Sequence, residues 1–139
     1  MPERLPDIIC DTGFLMHMAS GRIRNLDGFD LGNVSYVVPG AVLRELEKLS
    51  TDAAKGHEAR KALGLAGAMR RIIPGGDYAD RAILDHIRRH GGTVATTDAG
   101  LKRDIKAAGG GVVSLHDDNM VLESPSGGGG SGARRRTRR

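Results

Sequence analysis

The stretch Ile8-Ile9-Cys10-Asp11-Thr12-Gly13 decides the fold expected of this chain. Three apolar residues in a row predict a buried strand, and the Asp-Thr-Gly that follows predicts the turn from that strand into a helix. Asp11 would then lie at the carboxyl end of a central strand, which is the edge where ligands bind in open α/β sheets. Taken alone, Asp11 is equally well explained as the N-cap of the next helix.

Strand and helix patterns alternate along the rest of the chain. Apolar runs predict strands, and apolar residues at helical spacing predict helices. The predicted strands are 34–38, 72–73, 93–97 and 112–115, and the predicted helices are 14–19, 41–49, 52–71, 77–90 and 101–108. This order predicts an α/β fold, a three-layer α/β/α sandwich with a mainly parallel central sheet.

The basic character of the chain is expected to lie in a tail. Residues 124–139 hold five of the 21 basic residues and none of the 17 acids, so residues 1–123 are nearly neutral. We expect residues 1–123 to form one domain and residues 124–139 to be a flexible, disordered Gly/Ser linker with an Arg-rich end. The tail is either an RNA-binding arm or an idle terminus; its arginines are Arg134, Arg135, Arg136, Arg138 and Arg139.

Composition narrows the class of protein. The single cysteine, Cys10, cannot form an internal disulfide, which fits a reducing compartment. No signal peptide or membrane-length apolar run is present, so we expect a cytoplasmic protein without a membrane partner. Only four aromatic residues occur, which argues against base-stacking modules such as an RRM.

Four acids occupy comparable places in the predicted fold. Asp98 follows its strand as Asp11 follows the first one, and both would lie at the carboxyl edge of the sheet. Glu45 and Asp80 lie on the apolar sides of their helices, near the ends that start from the same edge. Each also has a purely structural explanation: a salt bridge for Glu45, and a capping box with Asp77 for Asp80.

If the four acids meet, their charges repel and each carboxyl is driven toward protonation unless a cation lies between them. Carboxylates without His or Cys favour Mg²⁺ or Mn²⁺ over Zn²⁺. Such an ion, with positions left open for water, is typical of metal-assisted phosphodiester hydrolysis. No Walker-type loop is present to support nucleotide-driven phosphoryl transfer.

Four motifs follow one another along the chain: Asp11-Thr12, Val38-Pro39 leading to Leu43-Arg44-Glu45-Leu46, Tyr78-Ala79-Asp80, and Ala95-Thr96-Thr97-Asp98 followed by Leu101-Lys102. Taken together and in this order, they resemble the signatures of PIN-domain nucleases over roughly residues 7–118. The last two motifs look closest to compact archaeal PIN proteins, which are grouped either with VapC-type toxins or with the PIN nuclease that cuts precursor ribosomal RNA in the small-subunit processome.

The resemblance implies an Mg²⁺- or Mn²⁺-dependent endoribonuclease that acts on RNA and forms a homodimer. Its catalytic and metal-binding residues would be Asp11, Glu45, Asp80 and Asp98, supported by Thr12 and Thr96. The chain departs from the family pattern at two glycines. Gly13 stands where many members have Asn or Ser, and Gly100 stands where many have a further acid, so we expect one tightly held ion, with Asp104 as a weak substitute.

Three roles remain open on the sequence. The protein is an RNA-processing nuclease working with a ribosome-assembly partner, a VapC-type toxin paired with an antitoxin, or a non-catalytic PIN fold that binds RNA or acts as a scaffold. The presence of all four acids argues against the non-catalytic role. A phosphoacceptor receiver domain would need paired acids after the first strand and a Lys near the last one, and the chain has neither.

Overall fold

The computed structural model describes residues 7–26 and 34–123. The helices and strands alternate as expected for an α/β fold. In chain order they are β1 (Asp7–Cys10), α1 (Thr12–Ala19), β2 (Ser35–Pro39), α2 (Gly40–Leu49), α3 (Gly56–Ala66), β3 (Arg70–Ile72), α4 (Ala79–His90), β4 (Thr93–Ala95), α5 (Ala99–Ala107), β5 (Gly111–His116) and β6 (Asn119–Glu123).

One six-stranded sheet runs through the middle of the fold in the order β3-β2-β1-β4-β5-β6. The first five strands are parallel, and β6 returns antiparallel beside β5. The chain leaves β1 toward β2 on one side and later returns to β4 on the other. The strand order therefore reverses between β1 and β4, the place where open α/β sheets form a ligand crevice.

Helices cover both faces of the sheet, which confirms the three-layer α/β sandwich. Right-handed crossovers place α1, α2 and α3 on one face and α4 and α5 on the other, in agreement with the contacts within each group. The central strand β1 is buried at Ile8, Ile9 and Cys10. Continuous burial of this kind is typical of a parallel strand covered on both sides.

The predicted helix over 52–71 was wrong at both ends. The Asp52 carboxylate accepts hydrogen bonds from the amides of Ala54 and Lys55 and holds a turn, so the helix begins only at Gly56. At the other end, Arg70 pairs with Val37, so this segment belongs to β3. Backbone pairing with β2 outweighs helix propensity there.

The hairpin of β5 and β6 was missed. Asp117 and Asp118 both have positive φ, 53° and 65°, and form the two-residue turn between the strands. Positive φ at both central residues is characteristic of type I′ hairpins, for which Asn-Gly or Asp-Gly is the usual sequence signal. The turn contains no glycine, so the sequence did not indicate a hairpin.

No helix in residues 7–26 and 34–123 is long and apolar enough to cross a membrane. The expected linker and arginine tail lie outside the described residues, and the domain boundary at residue 123 stays a prediction.

Candidate active site

The carboxyl edge of the sheet brings together the elements that carry the four predicted acids. β1 and β4 are parallel neighbours with Cys10 opposite Ala95, so Asp11 and Thr96 leave the sheet side by side. α2 starts at this edge directly after β2, and α4 starts above it. The topology alone therefore places one acid from each of four segments near the crevice.

Asp11 is the buried acid of the group, with 5% of its surface exposed. Its Oδ1 accepts a hydrogen bond of 2.8 Å from the Phe14 amide, and its Oδ2 accepts one from the Thr96 hydroxyl. Burial is the main cause that raises the pKa of Asp11 to about 6. The two hydrogen bonds oppose the rise, and the negative charges of Asp80 and Asp98 add to it.

Asp98 repeats this arrangement in an exposed setting. Its Oδ1 accepts a 2.9 Å hydrogen bond from the Leu101 amide and so caps α5, as Asp11 caps α1. The Thr96 hydroxyl accepts from the Asp98 amide at 3.0 Å while it donates to Asp11. Thr96 is fully buried and connects the two acids. Capping and a place at the candidate site are thus compatible roles for both residues.

Glu45 connects three helices. Its Oε1 accepts a 2.6 Å hydrogen bond from the Thr12 hydroxyl on α1, and its Oε2 accepts a 3.3 Å bond from the Ala79 amide at the start of α4. The predicted capping role of Asp77 is therefore wrong, because α4 begins at Ala79 after an N-cap residue, Tyr78, that makes no side-chain capping bond. A carboxylate from α2 supplies the acceptor instead.

Asp80 lies in the first turn of α4 and is exposed. Loss of hydration is the first cause that raises the pKa of Asp80, and the neighbouring charges of Asp98 and Glu45 raise it further. Asp11 is influenced by Asp80 and Asp98 in the same way. Asp80 therefore lies close enough to Asp11, Asp98 and Glu45 for their charges to interact, and Asp11 is also within reach of the charge of Asp98.

No basic side chain of the described residues forms a salt bridge with any of these four acids. Two exposed arginines, Arg81 and Arg88, instead line an open cavity of about 370 Å³ together with Asp80, Asp98 and Asp104. Asp104 thus lies beside the group. The sequence analysis overlooked the two arginines, although their spacing of one and eight residues from Asp80 places all three on adjoining sides of one helix.

The chemistry of these side chains fits a hard divalent cation. All the donors are carboxylate oxygens, and none of them forms a salt bridge with a basic side chain of the described residues, although Arg81 and Arg88 line the neighbouring cavity. A donor set of carboxylates suits Mg²⁺ or Mn²⁺. Within the same residues, no three His, Cys, Asp or Glu side chains are arranged to hold a metal ion. Asp11, Glu45 and Asp98 are held by hydrogen bonds, so movement of the exposed Asp80 side chain would be the simplest way to complete a set of ligands.

The two departures from the family pattern have local consequences. A Cβ at Gly13 would lie 3.0 Å from the Thr97 Oγ1, so glycine lets α1 approach the segment after β4 closely. A Cβ at Gly100 would lie 3.3 Å from the Asp98 Oδ1. A side chain at position 100 would therefore start beside the Asp98 carboxylate.

The PIN-like domain family matches residues 8–118. The chain belongs to that family. The structure of the PIN domain endonuclease Utp24 is similar to this PIN domain, with 26% sequence identity and a TM-score of 0.71, over 85% of this chain and 91% of that one. No protein of curated function matches the chain. The resemblance to PIN-domain nucleases is confirmed, and the similarity supports nuclease activity.

Proposed function

We propose that this PIN domain is an Mg²⁺- or Mn²⁺-dependent endoribonuclease that hydrolyses RNA phosphodiester bonds. One observation carries the proposal: at this edge of the sheet Asp80 lies within charge range of Asp11, Glu45 and Asp98, and none of the four carboxyls forms a salt bridge within the described residues. A protein keeps such a cluster at an energetic cost, and a bound cation relieves that cost.

Each acid would contribute according to its setting. Asp11 and Glu45 are held in place by hydrogen bonds from α1, α4 and Thr96, so they would form the fixed side of an ion site. Asp80 and Asp98 are exposed and would face both the ion and the RNA. When bound, the ion would orient the scissile phosphate and activate a water. The guanidinium groups of Arg81 and Arg88 would attract the flanking phosphates.

The proposed role is RNA processing, with precursor ribosomal RNA as a candidate substrate and a ribosome-assembly factor as a candidate partner. The likeness to the endonuclease Utp24 along nearly its whole chain supports this role. Action as a VapC-type toxin would require an antitoxin partner and growth arrest on expression. A cytoplasmic location and a homodimer remain part of the proposal.

The decisive experiment incubates the purified protein with total RNA and Mn²⁺ and maps the new RNA ends. We expect discrete new ends with the wild type and none with Asp98→Asn or with EDTA. Ends that form equally with Asp98→Asn would assign the activity to a contaminant or to other residues. Ends clustered in precursor ribosomal RNA would favour processing, whereas cleavage of a tRNA or messenger RNA pool would favour a toxin.

Metal binding is measurable without any RNA. Calorimetric titration with Mn²⁺ should give a binding isotherm for the wild type that is weakened or lost in Asp11→Asn. Unchanged binding in Asp11→Asn would reject the assignment of the ion to this edge of the sheet.

The arginine tail is proposed as an RNA-binding arm that adds salt-dependent, sequence-independent affinity. Deletion of residues 124–139 should weaken RNA binding at low salt and leave cleavage in place. Complete loss of cleavage would show that the tail belongs to the active site.

A further inference from the structure

Tyr78 is an unusual residue for a chain with few aromatics. Its side chain is 67% exposed, and it is the only aromatic residue of the described part that is among the exposed large hydrophobic ones. Its apolar face is therefore available to a ligand that can stack on it. Its position, one residue before α4 and two before Asp80, places it at the candidate active site.

The ring borders a second cavity, distinct from the one that Asp98 lines. This cavity has a volume of about 230 Å³ and is lined by Arg44, Glu45, Lys48, Asp77 and Tyr78. Glu45 belongs to both the cavity and the group of acids, because its Oε2 accepts from the Ala79 amide directly before Asp80 and its charge acts on Asp80. A ligand in this cavity would therefore lie next to the candidate active site.

Two cations are available in this cavity. Arg44 and Lys48 lie four residues apart on α2 and are both exposed. The guanidinium of Arg44 donates to the Gly76 carbonyl, which holds it beside the loop that leads to Tyr78. Neither residue forms a salt bridge within the described residues. Both can therefore contact a phosphate directly, although the cavity also contains the carboxyls of Glu45 and Asp77.

A third cation lies over the ring. The guanidinium carbon of Arg81 is 5.8 Å from the centroid of the Tyr78 ring, within the range of a cation–π contact. Arg81 also lines the cavity that contains Asp80 and Asp98. Tyr78 and Arg81 thus stand between the two cavities, with Arg44 and Lys48 on one side and Arg88 on the other.

We infer that Tyr78 is a stacking platform for one unpaired nucleobase of the RNA, with Arg44 and Lys48 holding the adjoining phosphate. An aromatic face with basic groups around it is the arrangement by which proteins hold single strands without reading sequence. Bases of a duplex are stacked on one another and cannot lie on the ring. The inference rests on the proposed function and deepens it, because it names the side chains that would hold the strand beside the four acids.

The chain offers a direct optical test because it contains no tryptophan. Tyr78→Trp keeps an aromatic face and introduces a single fluorophore that a stacked base would quench. The variant is combined with Asp98→Asn so that the probe is not cut. We expect saturable quenching by a short single-stranded oligoribonucleotide of mixed sequence, and none by the same strand annealed to its complement.

Ala68→Trp, also combined with Asp98→Asn, is the matched control. Ala68 is exposed, and it lies beside Arg70 and Arg71 at the amino end of β3, on the opposite edge of the sheet from the acids. Basic surroundings alone would quench both tryptophans equally. Equal quenching of the two, quenching by the duplex, or no quenching at position 78 would each overturn the inference.

Kinetics in the otherwise wild-type protein separate the ring from its hydroxyl. Tyr78→Ala should raise KM for a single-stranded substrate at least about fivefold, the lower limit for loss of one stacked base, and Tyr78→Phe, which restores the ring without the hydroxyl, should recover most of that loss. Equal KM values for all three proteins would overturn the inference and leave the nuclease proposal standing. Quenching at position 78 without cleavage by the wild type would support the base-binding platform and reject the nuclease.

Discussion

Glu123 and Asp11 show two opposite treatments of a carboxylate in one small fold. Glu123, on β6, contacts the Lys106 ammonium and the Ser114 hydroxyl, and Lys102 approaches it to 3.8 Å. The hydrogen bond from Lys106 is the main reason that the pKa of Glu123 falls to about 2. Asp11 has only hydroxyl and amide donors, and burial raises its pKa to about 6.

The difference shows which negative charges the protein balances by itself. Around Glu123 the compensating cations are built into α5, so the group is complete as a structural element. Around Asp11 the nearby charges are those of Asp80 and Asp98, which have the same sign. Negative charges that lack compensating cations lower the stability of the fold, so they are more often found at functional sites than in structural clusters. The predictions below test that contrast, from the largest expected effect to the smallest.

RNA cleavage is expected to depend on Asp98, which lies beside Asp11, and to be independent of Glu123. Asp98→Asn should lower the rate of Mn²⁺-dependent RNA cleavage at least about 100-fold, because loss of a metal ligand removes several kcal/mol of charge stabilisation. Glu123→Gln should leave the rate within a factor of about two. Rates are compared at equal folded fractions, measured by circular dichroism. A large loss of cleavage rate in a folded Glu123→Gln variant would contradict the assignment of Glu123 to a purely structural role.

The stability of the metal-free protein should depend on pH with opposite signs at the two acids. The folded pKa of Asp11 lies above its unfolded value near 4, so its contribution is present below pH 4 and lost as pH rises through 6. The loss is on the order of 2–3 kcal/mol. The folded pKa of Glu123 is lowered, so its contribution is present above about pH 4.5 and lost as pH falls toward 2.

Urea unfolding in EDTA between pH 3 and pH 8 measures both effects. The wild type should be most stable between about pH 4 and pH 5, because Glu123 is ionised there and Asp11 is still largely protonated. Asp11→Asn should reduce the decline above that interval, leaving the part due to the raised pKa of Asp80, and Glu123→Gln should reduce the decline below it. A wild type that gains stability from pH 5 to pH 7 without metal would contradict the raised pKa of Asp11.

Thr96 tests how the buried acid is held. Its hydroxyl is the donor to Asp11 and the acceptor for the Asp98 amide, so Thr96→Val leaves a buried carboxylate oxygen without that donor. We expect a loss of about 1–3 kcal/mol in the free energy of unfolding at pH 7 without metal. Thr96→Ser keeps the hydroxyl and should recover most of it. Equal losses in both variants would point to packing of the threonine methyl instead.

The order of strands and helices was predictable because the signals were local. Apolar runs such as Ile8-Ile9-Cys10 mark buried parallel strands, and each is followed by an apolar stripe at helical spacing. Segments whose state depends on a distant partner were not predictable. Arg70 looks helical by itself and becomes strand through pairing with Val37, and β6 follows a turn formed by two aspartates with positive φ.

The candidate site was predictable to the level of its elements. Placement of Asp11 and Asp98 follows from the rule that parallel strands end at one edge, and Glu45 and Asp80 were found from their positions on the apolar sides of helices that start at that edge. The hydrogen-bond partners did not follow, because Glu45 caps α4 from 34 residues away and replaces the expected Asp77. The exposure of Tyr78 and the arrangement of Arg81 and Arg88 likewise depend on packing that no local pattern describes.

Asp104 is neither salt-bridged like Glu123 nor buried like Asp11. It lines the cavity of Asp80 and Asp98 but is exposed on α5 and forms no salt bridge within the described residues. Interactions between exposed charges are worth up to about 1 kcal/mol, so Asp104→Asn should lower cleavage by about fivefold or less. Asp85→Asn, on α4 beside the same cavity, is its matched control.

The cleavage rates of these two variants decide whether Asp104 replaces the acid that many family members have at the position of Gly100. Similar small losses in Asp104→Asn and Asp85→Asn, measured at limiting Mn²⁺, would assign both acids to the general field of the cavity. A loss in Asp104→Asn that saturating Mn²⁺ restores, with Asp85→Asn unaffected, would show that Asp104 contributes to ion binding. A 100-fold loss that Mn²⁺ does not restore would place Asp104 in the same class as Asp98, and the set of four acids would become a set of five.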